Sequence, residues 1–81
     1  AQKLASMIVI LGERFGDKKN HHIYIKAPLT HKDLASLIGI TRETTTLILS
    51  EFVKRDYISF ASKHITIKNI PGLRKESLIE A

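Results

Sequence analysis

Eighty-one residues, 43% of them hydrophobic and 26% charged, suit one small globular domain rather than two cores or a disordered chain. The longest apolar run, Met7 to Leu11, falls far short of the ~20 residues of a membrane span, and the absence of cysteine excludes disulfides, thiolate zinc and a cysteine nucleophile. Thirteen Lys and Arg against eight Asp and Glu give a net charge of +5, spread over the whole chain, so charge alone nominates no binding face.

The chain starts at Ala1 rather than Met and is expected to be a piece of something longer. Leu4, Met7, Ile8, Leu11 and Phe15 recur at helical spacing, the stripe of an amphipathic helix that packs on a core. Gly16 is expected to close that helix, and Asp17-Lys18-Lys19-Asn20 reads as a polar loop. His22-Ile23-Tyr24-Ile25-Lys26 alternates polar and apolar, the period of a half-buried strand, which Ala27-Pro28 ends. Lys18, Lys19 and Lys26 read as solubilising charge.

Thr30 and Asp33 have capping-box spacing, and a short helix from His31 to about Ile38 is expected, with Leu34, Leu37 and Ile38 inward. Gly39 stops it, and Thr41 can cap a second helix from Arg42 to about Arg55 whose inward set is Thr45, Ile48, Leu49 and Phe52. Lys54 and Arg55 suit its C-terminal dipole. Ile58 and Phe60, then Ile65 and Ile67, flank Ala61-Ser62-Lys63-His64 and suggest a hairpin without the usual Asn-Gly turn. Pro71-Gly72 is expected to break the chain, leaving Leu73 to Ala81 as a short polar helix or a tail.

Two short helices joined by a glycine-containing turn make a helix-turn-helix unit. Leu34, Ile38, Ile40 and Ile48 fall where such helices pack on each other, Ala35 is small at the close crossing, and Gly39 supplies the left-handed turn. Thr45 is polar at an inward position and fits if its hydroxyl bonds back to the preceding turn. The alternative is an ordinary two-helix hairpin, against which the following strands weigh by adding a wing. Together these elements describe an α+β winged helix-turn-helix: a single domain, mostly helical, with the two-helix unit at about 30–55 and a small antiparallel wing at about 57–68.

The segment Leu29 to Ile67, LTHKDLASLIGITRETTTLILSEFVKRDYISFASKHITI, resembles the C-terminal winged helix of the CRP/FNR family of bacterial transcription regulators. The resemblance needs no gap and is most specific at Gly39-Ile40-Thr41-Arg42-Glu43-Thr44, which is similar to the family's G-x-[ST]-R-E-T turn. It implies sequence-specific binding of double-stranded DNA, with the second helix as recognition helix in the major groove. Arg42 would offer a guanidinium fork to guanine and Glu43 would accept from cytosine N4. Both have a plainer reading as solvated first-turn residues, which the helix dipole favours for Glu but not for Arg.

Thr46, Leu47 and Ser50 continue the outward face. Where this sequence has Leu47 the family commonly has an arginine that contacts guanine, so a departure toward an A·T pair is expected, read through the thymine methyl. Leu47 could instead pack under a neighbouring loop. Phosphate contacts are expected from Thr30, His31 and Lys32 at the first helix N-terminus, from Thr41 and Thr44 at the second, and from Lys63 at the wing tip.

No cofactor is expected in this domain. His21 and His22 are adjacent and cannot share a metal as a simple pair on a strand, and neither a phosphate loop nor a G-x-S-x-G motif is present, so no enzyme activity is expected. By resemblance, the intact protein would carry an N-terminal sensor for an effector the sequence does not name. It would work in the cytoplasm as a homodimer on a pseudo-palindrome, with RNA polymerase as a further partner and no membrane; the fragment alone would be a monomer or bind one half-site weakly. The rivals are a winged helix used for protein contact, one from another regulator family, and one appended to an enzyme. Arg42 and three successive threonines, in place of an apolar or acidic outward face, weigh against the first.

Overall fold

The computed structural model describes residues 2–78. In chain order it has α1 (Gln2–Phe15), β1 (Gly16–Lys19), β2 (His22–Ile25), α2 (His31–Ile38), α3 (Arg42–Lys54), β3 (Ile58–Ala61), β4 (His64–Ile67) and α4 (Ile70–Leu78). The strands form one antiparallel sheet in the order β1-β2-β4-β3. Its inner face carries Ile23, Ile25, Ile58, Ile65 and Ile67, which close the core with Leu4 and Ile8 of α1, Leu34 of α2, Leu49 and Phe52 of α3, and Leu73 of α4. The winged helix-turn-helix architecture is the one expected, and the sheet is larger than expected by β1.

The segment read as a polar loop is a strand because Asp17, Lys18 and Lys19 pair with Tyr24, Ile23 and His22. Asn20 and His21, both at positive φ (51° and 67°), make the two-residue turn whose twist matches a hairpin. Gly16 is therefore not a left-handed helix cap but the first strand residue, opposite Ile25. Glycine is needed there because a Cβ would collide with Ile23 and with the Gly12 carbonyl.

The same close approach turns α1. Its buried residues are Leu4, Ala5, Ile8 and Gly12, so the small Ala5 and Gly12 share the inward face with two large residues. Ile67 and Ile23 lie directly over Gly12. Met7 and Leu11 are only half-buried, and Phe15, expected inward, is 59% exposed at the end of the helix. Leu37, also expected inward, is 54% exposed, because Leu34 and Ala35 face the core and Leu37 falls beside their seam.

Pro71-Gly72 does not break the chain. Asn69 accepts the Gly72 N–H through Oδ1 at 2.9 Å, and Pro71 occupies the first turn of α4, where a missing N–H costs nothing. Leu73 is buried and α4 packs along α1, tied by Arg74 to Glu13 at 2.6 Å and by Gln2 to the Ser77 carbonyl at 3.1 Å. The expected helix-or-tail is thus helical to Leu78, and 79–81 lie outside the described residues. No helix among the described residues is long and apolar enough to cross a membrane.

Candidate nucleic-acid interface

Both helices of the helix-turn-helix begin on a threonine whose side chain replaces a missing backbone partner. Thr30 Oγ1 accepts the Asp33 N–H at 3.0 Å, and Asp33 accepts the Thr30 N–H at 2.9 Å, a complete capping box. The Thr30 backbone N–H, more than its hydroxyl, holds the Asp33 carboxyl below its ordinary range, and the charges of Lys32 and Lys63 act in the same direction. Gly39 ends α2 at φ 76° and donates to the Ala35 carbonyl at 2.9 Å. Thr41 then caps α3, accepting the Thr44 N–H at 3.1 Å. Thr45 is fully buried, and its hydroxyl donates to the Thr41 carbonyl at 2.9 Å, which removes the cost of a hydroxyl in the core.

This packing turns one face of α3 outward. Arg42 with Thr46 and Glu43 with Leu47 lie four residues apart, and the four line one shallow depression. Leu47 is 72% exposed and packs under no loop. Among the described residues Arg42, Lys32 and Lys63 form no ion pair, whereas Lys26, Arg55, Lys68 and Arg74 are each paired with an internal carboxylate. The Arg55 guanidinium is raised above its ordinary range by Tyr57 and then by Glu51, so it serves the C-terminal end of α3. Lys26, expected to be free solubilising charge, pairs with Asp17 at 2.8 Å. Lys18, Lys19 and Lys54 are also unpaired, so the absence of a partner does not by itself mark the face.

The wing reaches the same side. The Leu29 N–H donates to the Lys63 carbonyl at 2.6 Å, which seats the wing tip beside the start of α2. Ser62 and Lys63 are both left-handed, at φ 51° and 66°, a two-residue hairpin turn built without glycine. The cost of two left-handed residues is offset by the Leu29 bond and by His64 Nδ1 donating to the Ser62 carbonyl at 2.8 Å.

Thr30, His31, Lys32 and Lys63 therefore lie around one corner, and His31 joins that corner to α3. Its Nδ1 is 2.8 Å from Thr46 Oγ1, and its ring meets Phe60 edge-on with centroids 4.9 Å apart. Nothing in the spacing of the sequence singled out this contact, since its three residues lie far apart along the chain. Thr41 and Thr44 are engaged with each other, hydroxyl to hydroxyl at 2.9 Å. Thr44 borders a second depression with Gln2, Lys3, Ile38, Ile40 and Ile48, on the α1 side. Ser50 is exposed one turn beyond Thr46.

Comparison with known proteins identifies the family. The model of the Crp-like helix-turn-helix domain matches residues 2–76. A helix-turn-helix-type transcriptional regulator of Porphyra purpurea is 35% identical over 65 residues, covering 80% of this chain and 27% of that protein. The global nitrogen regulator of Synechocystis is 34% identical over 74 residues, covering 91% of this chain and 33% of that protein. Among solved structures, the CO-dependent transcription factor CooA of Carboxydothermus hydrogenoformans superposes with a TM-score of 0.86 at 23% identity, over 94% of this chain and 35% of that one. The chain spans about a quarter to a third of the length of the curated relatives it matches. With a family match over nearly the whole chain and a capped recognition helix beside a wing, the chain belongs to the Crp-like helix-turn-helix domains, the DNA-binding output domains of CRP/FNR-type transcription regulators.

Proposed function

We propose that this domain reads a specific sequence in double-stranded DNA by laying α3 in the major groove. Arg42 forks onto guanine O6 and N7 while Glu43 accepts from cytosine N4, and Thr46 and Leu47 meet the next base edges. Thr30, His31 and Lys32 at the start of α2, Thr41 and Thr44 at the start of α3, and Lys63 on the wing hold phosphates and set the register. The observation that carries this reading is the outward face of α3: Arg42, Glu43, Thr46 and Leu47 line one depression, and the His31–Thr46 contact joins it to the corner where the start of α2 meets the wing tip at Lys63.

In the intact protein the domain acts as the output of a sensor carried by the rest of a longer chain. That protein is a homodimer whose two domains sit on half-sites about one helical turn apart, and RNA polymerase is the partner that links binding to transcription. The effector is not specified by any residue of this domain.

Titration of labelled duplex DNA at several salt concentrations tests the reading. Affinity should fall steeply with salt, with a logarithmic slope of about −0.9 for every phosphate neutralised. Binding that is absent, or indifferent to salt, contradicts it.

A further inference from the structure

His31 does two things that a first-turn residue need not do. Its Nδ1 is 2.8 Å from Thr46 Oγ1 across the α2–α3 boundary, and its ring is held by Phe60 of the wing. The ring is half-buried, so its orientation is fixed by packing as well as by the hydrogen bond. One proton lies between Nδ1 and Oγ1, and a neutral imidazole can arrange it in two ways. When the Thr46 hydroxyl donates to Nδ1, the ring proton sits on Nε2, which is then a donor. When Nδ1–H donates to Oγ1, Nε2 is a lone pair and the hydroxyl proton is free to point elsewhere. A phosphate oxygen at Nε2 bonds to the first form and repels the second.

We propose that His31 is a positioning and specificity-determining residue: by holding a phosphate at Nε2 it commits the Thr46 hydroxyl proton to Nδ1. Thr46 then shows the bases an acceptor oxygen and a methyl group, with no donor. An acceptor suits the amino groups of adenine N6 and cytosine N4, and is mismatched against guanine O6 and N7 or thymine O4. Phosphate contact and base reading become one linked event, carried by a single hydrogen bond between the two helices. This rests on the reading of Thr46 as a base-facing residue.

The test is selection of duplexes from a random library at mildly alkaline pH, where imidazoles are neutral. The chain is compared with Thr46→Val, which keeps the shape, with His31→Gln, which keeps a donor near Nε2 but loses the Thr46 partner, and with the double variant. The unaltered chain should enrich adenine or cytosine at one step, by about fivefold or more. Either single substitution should flatten that step alone, and the double variant should flatten it no further, since all three lose the same bond. Enrichment of guanine or thymine at that step overturns the proposal. So does a His31→Gln profile identical to that of the unaltered chain while Thr46→Val flattens it, or uniform weakening on every sequence with the profile unchanged. If the unaltered chain enriches no sequence, the DNA reading itself fails, a result distinct from all of these.

Discussion

Leu47 is the residue that most separates this surface from a generic basic helix face. It is 72% exposed among Arg42, Glu43 and Thr46, where a leucine gains nothing from the fold. Its side chain has no group to hydrogen-bond a base, but it can leave water against a thymine C5-methyl. Selection from random duplexes should therefore recover an A·T pair at the Leu47 step, and Leu47→Arg should replace it with guanine. A guanine recovered by the unaltered chain would contradict this. The outward place of Leu47 was legible in the sequence because it falls outside the Thr45, Ile48, Leu49, Phe52 set, and that set is inward as expected. Leu37 misled for the opposite reason: spacing permits it to be inward, but Leu34 and Ala35 take the buried face and leave it exposed. The His31–Thr46 bond was beyond spacing, because tertiary packing alone brings those side chains together.

The starts of α2 and α3 and the stop between them were the most legible elements, since each is written in a few adjacent residues, whereas Gly16 and Pro71-Gly72 were misleading as stops. The Thr30–Asp33 box, Gly39 and Thr41 lie where their side chains and φ preferences demand. What escaped was a strand with almost no apolar residues, because β1 forms by pairing with β2 rather than by burying a face of its own. The wing turn was recognisable by position, but its left-handed Ser62 and Lys63 are sustained by the distant Leu29. The capping box also predicts a pH dependence. The folded state holds the Asp33 carboxyl below its ordinary range, so its contribution is complete above that range and is lost as pH falls through the folded value. Thermal melts of the unaltered chain and Asp33→Asn should differ at neutral pH and converge in strong acid. A gap that stays constant through acidification would show that the carboxylate is not the stabilising form.

At the scale of the whole molecule, the sheet and the α1–α4 pair make a platform from which α3 and the wing project. Ile23 and Ile67 sit under α1, Arg74 and Gln2 clamp α4 across it, and Leu29 ties the wing tip to the start of α2. The proposed DNA-facing surface is therefore carried on a packed platform and tied at the wing tip, rather than being a helix on a loop. Such a surface separates two kinds of contact, and a single experiment distinguishes them: the affinities of the unaltered chain, Arg42→Ala and Lys63→Ala measured across a library of duplexes. Arg42→Ala should cost about 1–3 kcal/mol on the preferred sequence and relax one base position, while Lys63→Ala should weaken every sequence alike. If Arg42→Ala left the sequence preference intact, α3 would not be the reading element, and the central claim would be wrong.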